Sequence, residues 1–244
     1  MKRLHFLFIL LAVALVAFIF KPIIKSAISR VTNKITNQKT VADRLGEFGE
    51  AARGRLKPGF DRAQIKYPPT SIKLVAVKAE QVMKIYASDG QGSNRWIHTY
   101  PILAASGHPG PKMHEGDGQV PEGIYSIESL NPNSLYHVAL RVGYPNEFDR
   151  SKAARDGRTN LGGDIMIHGK AVSIGCLAMG DEAAEDLFVL AADTGLQNMA
   201  VIITPVDFRG GKLAPKVANL PGWCDELYTQ IKTELSALPL EQSK

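Results

Sequence analysis

Seven short runs rich in β-branched and aromatic residues lie between residues 71 and 204, and they constrain the fold more than any other feature. Clusters of Gly, Pro, Asn, Asp or Ser separate most of these runs. Short runs with turn residues between them are typical of mainly antiparallel sheets. The sequence therefore predicts a β sandwich or barrel-like domain with strands at residues 72–77, 81–87, 95–103, 123–128, 136–142, 165–168 and 199–204.

Two helices are predicted beside these strands. Residues 182–194 carry Leu187, Leu190 and Ala191 at helical spacing, and Gly195 follows as a C-terminal stop. A second helix is predicted over 224–238. The predicted fold class is therefore β-rich α+β, with one or two helices packed on the sheet. We place one domain at residues 71–205 and a C-terminal extension at 206–244.

The N-terminal segment 1–20 has the pattern of a membrane anchor. Met1-Lys2-Arg3 precedes an uncharged run from Leu4 to Phe20, which is at the short end of a membrane-spanning length. No small-residue cleavage site follows this run directly, so an uncleaved signal anchor is favoured over a cleaved signal peptide. Either interpretation predicts that the domain is exported.

The positive net charge comes from the N-terminal part of the chain. The formal charge is +5, but residues 1–42 hold seven basic residues and no acidic one. The remainder has 22 basic and 24 acidic residues, with no basic patch interleaved with aromatics, so nucleic acid is not expected as a partner. Residues 21–70 are mostly polar and are predicted to be a linker, within which 41–53 has the spacing of an amphipathic helix.

A candidate base and a candidate nucleophile lie on either side of one tight turn, in the run His168-Gly-Lys-Ala-Val-Ser-Ile-Gly-Cys176. The strand before the turn places His168 on one face, while Ile165 and Ile167 face the core. Asp181 has the residue type of a helix N-cap. A thiol becomes a good nucleophile when it ionises, and an imidazolium or a helix N-terminus lowers its pKa. We therefore predict Cys176 as nucleophile and His168 as general base.

This run resembles the active-site motif of the YkuD family of L,D-transpeptidases, His-Gly followed by Ser-X-Gly-Cys. Ile174 stands where the usual motif has a second histidine, a feature shared with the YafK-like branch. The resemblance implies a β-rich catalytic domain that acts on peptidoglycan stem peptides through a cysteine acyl-enzyme. It also implies a location in the cell envelope, with the protein held in the inner membrane by its anchor and the catalytic domain in the periplasm.

The loop around the cysteine supplies further candidate site residues. Gly169 and Gly175 lack a side chain, so the backbone there can approach a substrate. The N–H groups of Ile174, Gly175 and Cys176 are candidates for an oxyanion hole. Ser173 is a candidate to bind the imidazole or the substrate, and an ordinary turn-forming role is equally compatible.

Two more residues are candidates for substrate binding. Arg158 has the guanidinium fork that matches the carboxylates of stem peptides, although a solvated loop charge is the alternative. His137 lies on the opposite strand face from Tyr136 and Val138, as a wall of the site or as a surface side chain.

No cofactor and no metal site is predicted. Glu115, Asp117 and Glu122 are close in sequence but lack the ligand order of a calcium loop. The two cysteines, Cys176 and Cys224, are not expected to form a stable disulfide, because a nucleophile has to be reduced. The sequence does not fix the oligomeric state.

Two other functions stay open at this stage. Water rather than an amine could resolve the thioester, which would make the protein a peptidase or amidase. Alternatively, the domain could bind the wall without catalysis, which the Ile174 replacement favours and the intact His168, Gly175 and Cys176 oppose.

Overall fold

The computed structural model describes residues 38–214 and 220–241. The described residues from Val41 onward belong to one compact unit. The predicted anchor at residues 1–20 lies outside the described residues. Among the residues that are described, we find no helix with the length and apolar character needed to span a bilayer.

Four α-helices and nine strands make up the described part of the chain. The helices are α1 (Val41–Ala63), α2 (Glu147–Arg155), α3 (Asp181–Thr194) and α4 (Cys224–Ser236), and a short 3₁₀ helix spans Leu196–Asn198. The strands are β1 (Ser71–Val77), β2 (Val82–Ser88), β3 (Arg95–Pro101), β4 (Ala104–Ala105), β5 (Gly123–Ser134), β6 (His137–Val142), β7 (Met166–His168), β8 (Leu177–Ala178) and β9 (Met199–Thr204). All seven predicted strands and both predicted helices are therefore present.

The strands form one continuous mixed sheet in the order β3-β2-β1-β9-β5-β6-β7-β8-β4. The described part of the chain is thus a sheet-rich α+β fold, and the strands at the two ends of this order, β3 and β4, are joined by only two residues. Six of the neighbouring pairs are antiparallel, and the β1–β9 and β7–β8 pairs are parallel. The long strand β5 pairs with β9 through residues 123–126 and then with β6 through 127–134, with two bulges. Bulges bend a strand, so β5 joins the two halves of the sheet.

Helices pack on both faces of the sheet around β1. Along β1, Leu74 and Ala76 belong to one buried cluster, while Val75 and Val77 belong to another. Helices α1 and α3 contribute to the first cluster, and α4 contributes to the second. Alternate strand residues point to opposite faces, so a strand that is covered on both sides is buried throughout.

Helix α1 lies within the segment 21–70, which the sequence predicted to be a linker with a possible amphipathic helix; residues 21–37 of it lie outside the described residues. The amphipathic helix expected over 41–53 extends to Ala63, and Phe48, Ala52, Leu56 and Phe60 are buried at intervals of four residues. These side chains belong to the larger core cluster. The polar composition hid this role because only one narrow face of the helix is apolar.

Candidate active site

The parallel strands β7 and β8 position the two candidate catalytic residues. Ile167 pairs with Leu177 and His168 pairs with Ala178, and Cys176 directly precedes β8. Extending this register places Cys176 opposite Met166, so the thiol and the imidazole lie on the same face. With strands about 4.8 Å apart and a rise of about 3.3 Å per residue, their Cα atoms are separated by roughly 8 Å. The turn thus brings both groups to one side of the sheet.

The Cys176 thiol is partly exposed and lies beside a backbone carbonyl. Its Sγ lies 3.7 Å from the carbonyl oxygen of Asp164 and donates to it. Burial raises the pKa of Cys176; a backbone hydrogen bond from Met166 and the charge of Lys112 oppose this rise. A strand, β8, follows the cysteine, so the thiol does not sit at a helix N-terminus as the sequence had suggested.

The His168 imidazole is a neutral base with a defined tautomer. Its Nδ1 lies 2.6 Å from the carbonyl oxygen of Gly169. A carbonyl only accepts, so Nδ1 carries the proton and Nε2 is the basic nitrogen. The side chain is 2% exposed, and burial lowers its pKa. The Tyr136 ring lies against the imidazole, with a centroid distance of 4.7 Å and an interplanar angle of 32°.

Serine hydroxyls, rather than a second histidine, hold the loop between the two residues. Ser173 Oγ accepts from the Cys176 N–H at 3.0 Å and donates to the Cys176 carbonyl at 2.6 Å. Ser106 Oγ accepts from the Gly175 N–H at 2.5 Å and donates to the Gly118 carbonyl at 2.7 Å. The structure therefore places Ser173 in the turn-forming role, and it shows no hydrogen bond from Ser173 to the imidazole among the described residues.

These bonds change the oxyanion hole expected from the sequence. Two of the three candidate amides, those of Gly175 and Cys176, are already bound by hydroxyl oxygens. The Ile174 N–H has no protein partner among residues 38–214 and 220–241, and its side chain is 89% exposed. Of the three candidate amides, only that of Ile174 is therefore without a hydrogen-bond partner among the described residues.

Both loop glycines are required by their surroundings. Gly175 has a φ of +95°, a left-handed conformation that favours glycine. A Cβ on Gly169 would lie 2.5 Å from Asp181 Oδ1 and 2.8 Å from the Tyr136 carbonyl oxygen. Gly169 is thus a point of close approach between the catalytic turn, the β5–β6 turn and helix α3.

Asp181 anchors the turn instead of capping the helix. The N-cap of α3 is Gly180, with no side-chain cap bond, which corrects the predicted assignment to Asp181. Asp181 Oδ1 accepts from the Lys170 backbone N–H at 2.9 Å, and Oδ2 pairs with Lys170 Nζ at 2.7 Å. The Lys170 carbonyl in turn accepts from Gly180 N–H at 2.9 Å. The first turn of α3 therefore fixes the start of the catalytic loop.

The two residues predicted to bind substrate, Arg158 and His137, both form hydrogen bonds with other parts of the domain. Arg158 donates from Nε and Nη2 to Asp156 Oδ2, at 3.1 and 2.9 Å, and from Nη1 to the Met113 carbonyl at 2.8 Å. His137 Nε2 lies 2.9 Å from Glu185 Oε1 on α3. Arg158 thus braces the 113 segment, and His137 joins the β6 end to α3.

The segment 106–122 forms the other wall of the site. Lys112 is buried, and its Nζ donates to Asp117 Oδ1 at 2.5 Å and to the His114 carbonyl at 2.9 Å. Glu122 is fully buried and accepts from Lys78 Nζ, the Gly110 N–H and the Tyr228 hydroxyl, at 3.0, 2.7 and 2.9 Å. Two of the three carboxylates considered for calcium, those of Asp117 and Glu122, are therefore paired with lysines.

The L,D-transpeptidase catalytic domain (YkuD) matches residues 71–203, more than half of the chain. The chain belongs to the L,D-transpeptidase family. Over 129 residues it is 34% identical to the Escherichia coli K12 protein named "Putative L,D-transpeptidase YafK", covering 52% of this chain and 49% of that protein. The chain thus spans about half the length of the curated relatives it matches.

Solved structures from several bacteria are also similar. The cell shape determining protein Pgp2 of Campylobacter jejuni is 22% identical, with a TM-score of 0.46, covering 62% of this chain and 52% of that chain. Mycobacterium tuberculosis L,D-transpeptidase 1 is 15% identical, with a TM-score of 0.32, covering 55% and 62%.

Three residues of this L,D-transpeptidase domain were not singled out for the site from the sequence. Ser106 binds the Gly175 amide, Lys112 places a positive charge near the thiol, and Tyr136 covers the imidazole. Ser106 directly precedes a glycine, which marks a turn but not its partner. The sequence carried no signal for the ring contact between Tyr136 and His168, because it depends on the β5–β6 turn meeting the catalytic loop.

Proposed function

We propose that this L,D-transpeptidase family member is an exported cysteine acyltransferase that remodels peptidoglycan through a Cys176 thioester. The observation that carries this proposal is the placement of a partly exposed thiol and an imidazole whose free nitrogen is Nε2 at neighbouring register positions of the paired strands β7 and β8. Family membership supports stem peptides of peptidoglycan as the substrate class.

The first step begins from a neutral pair rather than from a preformed thiolate. Burial raises the pKa of Cys176 and lowers that of His168, so the thiol and the uncharged imidazole are both favoured at neutral pH. When a substrate carbonyl approaches, the Sγ–H proton passes to Nε2 while sulfur forms a bond to the carbonyl carbon. The hydrogen bond from Nδ1 to the Gly169 carbonyl then stabilises the imidazolium.

The developing oxyanion requires N–H donors at the loop. The Ile174 amide has no partner among the described residues and is the donor that needs no rearrangement. Rotation of the Ser173 side chain about its Cα–Cβ bond moves Oγ away and releases the Cys176 amide as a second donor. We therefore propose that the oxyanion hole is completed only when substrate displaces this hydroxyl.

Collapse of the tetrahedral intermediate breaks the peptide bond. The leaving amine takes the proton from His168, and the acyl group stays on Cys176 as a thioester. An amine from a second stem peptide then attacks the thioester, gives its proton to Nε2 and restores the thiol. Water can take the place of the amine, and the partial exposure of Cys176 favours this hydrolytic alternative.

We also propose that the N-terminal segment 1–20 anchors the protein in the inner membrane, with the catalytic domain in the periplasm. The support is the uncharged run behind Lys2 and Arg3.

The decisive experiment incubates the detergent-solubilised full chain with purified tetrapeptide muropeptides and measures product masses. Crosslinked dimers indicate transfer to an amine, whereas shortened monomers indicate hydrolysis. We expect no product of either kind from Cys176→Ser. His168→Ala should lower the rate by about 10²–10⁴-fold.

Matched controls use the same residue types away from the site. Cys224→Ser tests the other free cysteine, and His98→Ala removes an exposed imidazole on β3. Both should retain turnover. Unchanged turnover in Cys176→Ser would refute the thioester mechanism, and intact binding of muropeptides without turnover by the unmodified chain would favour a binding module.

A further inference from the structure

A cavity of 980 Å³ lies at the edge strand β3, where the end of α1, the start of β3 and the segment after α4 meet. The cavity lies at the start of β3, and none of its lining residues belongs to the 168–176 turn or to the segment 106–122, so it is separate from the thiol site. Its lining combines the two arginines Arg62 and Arg95 with Trp96, the carboxylate of Glu241, and smaller polar and apolar residues that include Asn94 and Leu240. A volume of this size accommodates a small peptide.

Two guanidinium groups of the cavity are fixed by backbone carbonyls. Arg62 Nη2 donates to the Ile97 carbonyl at 2.5 Å, and Arg95 Nη1 donates to the Ala63 carbonyl at 2.6 Å. The Arg62 guanidinium also lies 4.4 Å from the centroid of the Trp96 ring. Each contact holds one end of the fork and leaves other N–H groups for a ligand.

Neither guanidinium has a carboxylate partner within residues 38–214 and 220–241. Most other arginines of that part of the chain are paired, as with Arg53 and Asp193 or Arg209 and Asp207. The cavity does contain one acidic residue, Glu241, but its carboxylate already accepts from Thr99 Oγ1 at 3.3 Å and lies 3.9 Å from Lys84 Nζ. The cavity therefore presents two positive groups without internal neutralisation.

We propose that this cavity binds the carboxylates of acidic peptides, namely the stem peptides of the same polymer on which the thiol site acts. The substrate class rests on the proposed function. Guanidinium forks match carboxylates in geometry and charge, and Arg62 and Arg95 are pre-positioned for them. A polymer with many stems can occupy both sites at once, so the cavity raises the effective concentration of stems at Cys176.

The binding experiment uses the full chain with Cys176→Ser, so that no chemistry occurs. The probes are a purified stem tetrapeptide, its carboxamide derivative and inorganic phosphate, with calorimetric titration as the measurement. Arg62→Ala and Arg95→Ala should each weaken tetrapeptide binding by about tenfold or more. Arg150→Ala is the matched control, because Arg150 is exposed, is bonded to the Pro145 carbonyl and has no carboxylate partner among the described residues.

Each outcome separates this inference from the proposed function. Equal tetrapeptide affinity in all variants, equal affinity for the carboxamide, or phosphate binding as tight as that of the peptide would overturn the carboxylate site. With Cys176 restored, Arg62→Ala/Arg95→Ala should leave kcat on a soluble tetrapeptide within about twofold but reduce retention on intact sacculi. If the unmodified chain binds the tetrapeptide but does not turn it over, only the proposed chemistry is refuted and the carboxylate site stands.

Discussion

Replacement of Glu122 by glutamine tests whether a buried ion pair holds the wall of the active site. The carboxylate is fully buried and accepts from Lys78, the Gly110 amide and Tyr228. Glutamine removes the negative charge and replaces one acceptor oxygen by an NH₂ group, which is itself a donor and faces these donors. Lys78, which is 8% exposed, then loses its counterion. Breaking one half of a buried ion pair costs about 3–5 kcal/mol.

Unfolding in urea and by heat measures this loss. For a unit of roughly 200 residues, 1 kcal/mol corresponds to about 2–4 °C, so we expect Tm to fall by about 6–20 °C. Burial lowers the pKa of Lys78, and Glu122 opposes this. Without Glu122 the lysine loses its proton more readily, so the difference between Glu122→Gln and the unmodified chain should shrink as the pH rises.

Two variants sharpen the test of the Glu122 ion pair. Tyr228→Phe removes one neutral donor to the carboxylate and should cost about 1.5–3 kcal/mol. Lys78→Met/Glu122→Leu removes both charges together and should be more stable than Glu122→Gln, because no unpaired charge is then buried. If Glu122→Gln lowers the free energy of unfolding by less than about 1 kcal/mol, the Lys78–Glu122 pair is not shielded from water.

Three further results are expected. Ser106→Ala leaves the Gly175 amide without its hydroxyl partner and should lower kcat by about tenfold, with partial recovery in Ser106→Thr, as steady-state kinetics on muropeptides would show. Gly169→Ala places a methyl group 2.5 Å from a carboxylate oxygen of α3 and should cost about 1–3 kcal/mol in urea unfolding. Burial opposes the ionisation of Asp207, but its hydrogen bond with Arg209 outweighs this and lowers its pKa to about 2. The ionised carboxylate therefore contributes about 2 kcal/mol to the free energy of unfolding above pH about 4, and this contribution is lost as the pH falls toward about 2. Asp207→Asn should flatten that decline, as measured by acid unfolding.

Periodicity predicted the parts of the fold in which one residue type repeats on one face. The core positions of Ile165 and Ile167 follow directly from alternation, whereas the burial of β1 on both faces was not predicted. The two-residue strands β4 and β8 carry no period, and α2 buries Asp149 and Lys152, so its apolar face is weak. These elements are defined by their neighbours in the fold and not by their own composition.

The candidate site was predictable where sequence neighbours are also spatial neighbours. The turn from His168 to Cys176 closes over eight residues, so its strand partners are local. Arg158 is different. The sequence around an arginine near a predicted site looks the same whether its guanidinium binds substrate or a loop carbonyl, such as that of Met113. Likewise, nothing in the sequence ties Ser106 to Gly175, which is 69 residues away.

The loop geometry also accounts for the isoleucine at the place of the usual second histidine. Ile174 is 89% exposed, and the loop around it is held from both ends by other groups. Asp181 binds its first residue, Lys170, and Ser173 and Ser106 bind the amides of Cys176 and Gly175. An imidazole at position 174 would therefore add nothing to the conformation of this loop. The hydrogen bonds of the loop are all made without a side chain at position 174, which is left exposed to solvent.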